Sequence, residues 1–268
     1  MRSSTRAQSR TRTRRLIAHL TANVAEDVLL ESELLVLAFA TGIQDATTFP
    51  DYHCFASNQT GNTVLLAVGA VGLGGEVFQL SNIGLSLGTF IAGGWALGQL
   101  GNVVGCRRRL WLLLSSTVQT AMVFAAAALQ YRDGVDVTAG PTTLGVIALL
   151  AFSSGSQVAM ARSLRITEIT TAMATAAYVD LLVDPDLLGL HNRSRNRRVL
   201  FLVMLVAGSF AGAFAYARVG SAFAILLSAV GKLLVTLAFF FNAADVKRSR
   251  SDAPIREEAL RSTSIADR

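Results

Sequence analysis

The sequence predicts an all-α, polytopic membrane protein with six transmembrane helices, two short re-entrant or broken segments and a 3+3 inverted repeat. Three observations lead there. The chain has 268 residues, of which 52% are hydrophobic and only 16% charged, whereas soluble domains carry about a quarter charged residues. Its apolar residues fall in long runs: 80–106, 110–131, 141–161 and 199–217 contain no Asp, Glu, Lys or Arg, and about 20 apolar residues suffice to cross a bilayer core. The arginines sit in clusters at the ends of those runs, where they act as orientation signals.

Residues 1–32 form a basic N-terminal tail, expected to be partly disordered with an interfacial helix. It carries Arg2, Arg6, Arg10, Arg12, Arg14 and Arg15 and has no acidic residue before Glu26. Such a composition fits a mitochondrial presequence or a cytosolic tail that sets orientation, and the second reading is preferred. The membrane domain covers 33–244, in halves 33–131 and 141–244. Its first run, 33–49, is short and broken by Asp45. The last, 219–244, is interrupted by Lys232. Residues 245–268 are polar and of mixed charge, and read as a disordered tail.

The halves resemble each other. Gly42-Ile43-Gln44-Asp45-Ala46 recurs as Gly155-Ser156-Gln157-Val158-Ala159. At the same spacing, Gln59-Thr60-Gly61-Asn62 meets Ala172-Met173-Ala174-Thr175. Each half gives one span, one weakly apolar stretch and two more spans. Placing every arginine cluster in the cytosol requires an even number of crossings between clusters. The weakly apolar stretches 58–75 and 171–188 then do not cross, each half has three crossings, and the second half is inverted. Both termini are then cytosolic, in a plasma or internal membrane. The alternative counts both stretches as spans, giving eight helices in a parallel repeat and leaving Arg107, Arg108 and Arg109 outside.

Interrupted segments at matching positions of two repeats mark the binding sites of many transporters. Here they are expected over 42–62 and 155–180. Asp45 beside hydrocarbon is costly, by roughly 2.5–3.5 kcal/mol at the centre of a membrane helix. It is either a coupling-ion or proton site, or a carboxylate that caps a helix end or pairs with an arginine. Gln44, Asn58, Gln59, Thr60, Asn62 and Gln157 are the other candidate substrate- or ion-binding residues. Gly94 with Gly98, and Gly208 with Gly212, place small residues on one helix face and predict close helix packing. Arg162, Glu168, Asp180, Arg195, Arg197 and Arg198 form a candidate cytosolic charge cluster, either a gate or an ordinary solvated surface.

Enzyme chemistry is not expected. His19, His53 and His191 match no metal spacing, no phosphate-binding loop is present, and no nucleophile–base pair is visible. No cofactor is expected. Nucleic-acid binding would leave the apolar runs unexplained despite the net charge of +6. The expected partners are the lipid bilayer, an unidentified small solute and, as an open alternative, further copies in a homo-oligomer.

Gln44-Asp45-Ala46 followed by Gln59-Thr60-Gly61-Asn62 resembles the signature of the YoaK-like membrane protein family (domain of unknown function 1275). The second half resembles its fungal branch through Gly155, Gln157, Val158, Ala161-Arg162, Glu168-Ile169, Tyr178, Asp180-Leu181, Asp184-Pro185 and Arg195-Asn196-Arg197-Arg198. The resemblance covers roughly 30–243 and implies a six-helix-type membrane protein often suspected of transport, with no substrate. Thr170 stands where that family commonly has proline. The function expected is a secondary permease or exporter of a small solute, coupled to protons through Asp45. The rival is a membrane scaffold or assembly protein with a buried polar network.

Overall fold

The computed structural model describes residues 12, 14–73, 75, 77–133 and 140–245. Of the tails expected at 1–32 and 245–268, residues 1–11, 13 and 246–268 lie outside them. After a helical stretch at 14–21, the described chain forms eight helices. In order they are α1 (Val28–Tyr52), α2 (Gln59–Ala70), α3 (Leu80–Val104), α4 (Arg109–Asp133), α5 (Pro141–Ser163), α6 (Ala174–Leu182), α7 (Arg193–Arg218) and α8 (Ser221–Ala238). No strand occurs among the described residues beyond two isolated bridges, Asn23 with Arg108 and Val24 with Ala244. Helices α3, α4, α5, α7 and α8 are long and apolar enough to cross a membrane, which marks the chain as an integral membrane protein.

Helix α1 begins earlier and ends later than the run 33–49. Asp27 caps it by accepting from the Leu30 N–H at 2.9 Å. It ends where His53 turns left-handed at φ 52°. Pro50 lies in its last turn, where the missing N–H costs one bond near the end rather than splitting the helix. The expected break at 42–62 is therefore narrower: Gly42 to Ala46 are continuous helix, and the chain leaves helical geometry only at 53–58. The second half behaves alike. Helix α5 opens on Pro141 in its first turn and runs unbroken through Gly155 and Gln157, and its break lies at 164–173. A glycine or polar side chain lowers hydropathy without disturbing the main-chain ladder, so a hydropathy reading places both breaks too early.

Helices α2 and α6 have 12 and nine residues. At 1.5 Å per residue they span about 18 and about 14 Å, well short of a hydrocarbon core of about 30 Å.

The halves are interlocked. Helix α1 packs on α7 and α8, α3 packs on α5, and α4 packs on α5 and α8. The short α2 leans on α3, and α6 on α7. Glycines let the backbones meet at two crossings. A Cβ on Gly208 would lie 2.1 Å from the Phe39 carbonyl oxygen, and one on Gly212 2.7 Å from Ile43 Cα, which is the α1–α7 crossing. A Cβ on Gly155 would lie 2.1 Å from the Phe90 oxygen, and one on Gly93 2.3 Å from the Phe152 oxygen, which is the α3–α5 crossing. Gly94 and Gly98 face α5 at ordinary contact distance, 3.5 and 3.6 Å.

One end of the bundle is knotted by main-chain bonds. Val24 donates to the Arg107 carbonyl at 2.8 Å, Ala25 to Ala243 at 2.9 Å and Asp245 to Asn23 at 2.8 Å. The buried Arg109 guanidinium donates to the His19 and Asn242 carbonyls. This is the basic end. At the opposite end Asp51 accepts from Tyr216 at 2.8 Å and from Ser221, while Tyr52 donates to Gln130 at 2.5 Å. Cys54 and Cys106 are free.

Gly155→Ala is expected to force α3 and α5 apart and to cost about 3 kcal/mol, the top of the range for overpacking. Gly88→Ala, where nothing lies within 4 Å of the added atom, should be neutral or stabilise by about 0.4–1 kcal/mol. Thermal unfolding of the two purified variants in detergent checks the pair. Equal melting temperatures would refute the crossing as described.

A candidate solute cavity between the two breaks

The first break sits beside the last two turns of α1. There the backbone at 55–57 is answered by side chains. Asp45 accepts the Ser57 N–H at 2.8 Å on one carboxylate oxygen and the Ser57 hydroxyl at 2.5 Å on the other. Thr48 accepts the Ala56 N–H at 3.2 Å. Asn62 serves both main-chain groups of one residue, accepting from the Phe55 N–H and donating to the Phe55 carbonyl, each at 2.8 Å. Its amide also donates to Gln59 at 2.8 Å and to Ser86 on α3 at 3.1 Å. Asn58 caps α2 by accepting the Gly61 N–H at 3.2 Å. Helix α2 thus starts level with Asp45, seven residues or about 10 Å inside the end of α1. It leaves towards the start of α3, where Gly69 abuts Leu80.

The second break is held differently. Thr170 Oγ1 accepts the Met173 N–H and donates to the Met173 carbonyl, both at 3.1 Å. Arg165 and Thr171 are left-handed, at φ 62° and 63°. The buried Thr171 hydroxyl has no partner among the described residues.

Between the breaks lies a cavity of about 1530 Å³. From the first half it is lined by Asp45, Phe49, Phe55 and the first turn of α2, including Asn58, Gln59 and Thr60. From the second half come Val158, the stretch Ala172 to Ala176 and Asp180, with Leu205 and Ser209 of α7. Phe49 and Phe55 stack with ring centroids 4.8 Å apart.

Of the seven candidate binding residues, Asp45, Asn58, Gln59 and Thr60 line this space. Gln44, Gln157 and Asn62 do not. Gln44 is rotated about 100° from Asp45, to the side that faces α5 and α8 rather than the cavity. Gln44 instead donates to Ser228 at 2.8 Å and accepts from Ser154 at 3.1 Å. Gln157 donates to Thr41 at 2.9 Å. The two bonds mirror each other, because Thr41 and Ser154 stand at the same spacing as Gln44 and Gln157. Nearby, Lys232 is fully buried and donates to Ser153 at 3.0 Å.

The charge cluster is a clamp on one arginine. Arg197 reaches Glu26 and Glu31 at 2.7 Å and Glu168 at 3.5 Å, with its side chain 10% exposed. It ties α7 to the start of α1 and to the second break. Arg198 pairs with Asp184 at 3.2 Å. Arg195 donates to the Leu187 and Gly189 carbonyls at 2.6 and 2.5 Å rather than to a carboxylate. Arg162 and Asp180 are exposed and make no ion pair among the described residues. Burial opposes the charge on Glu168, but a bond from its own backbone N–H, the Ser194 hydroxyl and the nearby Arg197 and Arg198 outweigh it. The carboxyl is held below the usual carboxylate range.

Glu26, Glu31, Asp51, Ser57, Ser154 and Ser228 escaped the sequence reading. The hydroxyl of Ser154, matched to Thr41, was the one signal within reach. The others are brought in by packing alone.

The family model for a protein of unknown function (DUF1275) matches residues 34–238. No curated protein and no solved structure matches the chain.

Asn62→Leu leaves the Phe55 N–H without its acceptor, while the Phe55 carbonyl keeps the Ser86 hydroxyl at 2.7 Å. It should cost about 1–3 kcal/mol, the penalty for one buried unsatisfied group, read as a fall in melting temperature. Retained stability would show that the break does not depend on Asn62. The Glu168 contribution has a definite sign in pH. A folded-state pKa below the unfolded one stabilises above the unfolded value, and that stability fades as pH falls through the folded value. Wild type should therefore lose melting temperature below about pH 4, near the free carboxylate value. Glu168→Gln should be less stable at pH 7 and lose less on acidification. Parallel pH profiles would remove Glu168 from the clamp.

Proposed function

From the premise that the chain belongs to the DUF1275 family of proteins of unknown function, we propose that it is a secondary permease or exporter of a small solute. Its site is the cavity between the two breaks, with Asp45 the proton-coupling group. One observation carries this reading: a single cavity is lined by the matching segments of both halves, the first turn of α2 and the first turn of α6.

In this reading the halves 33–131 and 141–244 are a 3+3 inverted repeat. Exchanging α1 with α5, α2 with α6, α3 with α7 and α4 with α8 turns the set of helix pairings into itself. The mirrored pairs Gln44–Ser154 and Gln157–Thr41 lie where the halves meet and support the same symmetry. The six long helices cross, α2 and α6 re-enter from opposite sides, and the basic end with both termini faces the cytosol. The Arg197 clamp then closes the cytosolic route by pinning the second break to α1 and α7. Transport proceeds by rocking of the halves about their glycine crossings, with the clamp broken in the cytosol-open state.

The rival reading, a membrane scaffold, draws on the same bonds. Asp45 is satisfied by Ser57, so it has a structural task whether or not it titrates.

The discriminating measurement is cavity access from each side. Single cysteines at Thr60 and Thr175, in a background lacking Cys54 and Cys106, are challenged with an impermeant thiol reagent in sealed vesicles of known orientation. Cysteines at Val77 and Val103 report sidedness. Val77 should label from outside and Val103 from the cytosolic side. A permease exposes positions 60 and 175 to both sides in turn. Labelling of both from one side only sinks the permease reading. Labelling at 103 from outside sinks the six-crossing topology.

A further inference from the structure

Resting on that permease reading, we propose that the cavity takes a lipophilic organic cation: an amine or quaternary onium carried on an apolar or aromatic body. The ionisable groups among its lining residues are Asp45 and Asp180, with no lysine, arginine or histidine. The fully buried cations Lys232 and Arg109 are not among the lining residues. A free anion entering would therefore meet carboxylate and no counter-charge. Three phenyl rings, Phe49, Phe55 and Phe90, line the same space, and ring faces attract ammonium and onium groups once water is excluded.

The helix N-termini argue the other way and are outweighed. Each contributes about half a unit charge, confined to its first turn. At α2 the Gly61 N–H is already answered by Asn58. At α6 no side chain caps the first turn, and its half charge is all that faces the cavity there. Asp45 brings a whole charge, and each of its oxygens accepts one bond from Ser57. A cation is drawn by that charge and needs no vacant acceptor site. Size agrees with an organic ligand rather than a bare ion. About 1530 Å³ exceeds the roughly 300–1,000 Å³ of ordinary small-molecule pockets. One carboxylate cannot hold a proton and neutralise an onium at once. Loading the cation from one side therefore releases the proton, and reprotonation from the other side releases the cation. That is exchange of an organic cation for a proton, with no other co-reactant.

The probe is radiolabelled tetraphenylphosphonium. It is equilibrated with the full chain in phosphatidylcholine nanodiscs, and the signal of protein-free discs is subtracted. Tetraphenylborate, of the same shape and opposite charge, is the competitor. The expected result is saturable binding that tetraphenylborate does not displace, weakened tenfold or more in Asp45→Asn. Thr175→Lys places a cation on the opposite wall and leaves the Asp45–Ser57 bonds in place. It should weaken binding as much, and it decides the matter if Asp45→Asn does not fold. Absence of saturable binding to folded wild type overturns the proposal. So does equal binding by wild type and Thr175→Lys, or preference for the borate. If cysteines at 60 and 175 label from both sides but the onium does not bind, the cation class falls and the permease stands. If the onium binds and access is one-sided, the permease falls and the cation site stands.

Discussion

The main chain at 53–58 leaves helical geometry inside the bundle, and the structure depends on how its polar groups are answered there. Irregular backbone at membrane depth survives only when buried in protein or lining a cavity, because hydrocarbon offers no hydrogen bonds. Asp45, Thr48 and Asn62 supply the missing partners from α1 and α2, and Ser86 adds one from α3. That set of bonds places the start of α2 about 10 Å inside the end of α1, and so makes the cavity. The second break reaches the same arrangement with poorer means. One threonine hydroxyl serves Met173, and two left-handed residues turn the chain.

Interlocking of the halves follows from small residues. Lipid tails are as apolar as leucine, so helix association rests on close packing and on hydrogen bonds across the interface. Both means appear on the same helices. Gly42, Gly208 and Gly212 bring the α1 and α7 backbones together, and Gly93 and Gly155 do so for α3 and α5. One helical face away, Gln44 and Gln157 bond reciprocally across α1 and α5. The glycine faces bring the backbones into contact, and the glutamine pairs fix where α1 and α5 touch.

Charge is divided by depth. Arg107, Arg109 and the Arg197 clamp stay at one end, Asp51 with its tyrosine and serine donors stays at the other, and Asp45 lies between. The clamp is the only ion-pair network joining separate parts of the fold among the described residues. Its arginine is shielded enough to count for more than a surface pair, which contributes only about 0–1 kcal/mol.

Composition and patterning by themselves determined the membrane class, the long apolar helices and the existence of two weak segments at matching positions. Those are properties of transfer free energy along a chain, and the chain carries them locally. The polar motifs around Asp45 and Asn58 were also legible, because polar residues within apolar runs are rare. Tertiary structure alone decided where the breaks fall, since hydrogen-bond closure rather than hydropathy ends α1 at Tyr52 and α5 at Ser163. It separated Gln44 from Asp45, because helical rotation sends one to the interface and the other to the cavity. It also recruited Glu26, Glu31 and Ser57 as partners, through contacts between residues that no local pattern links.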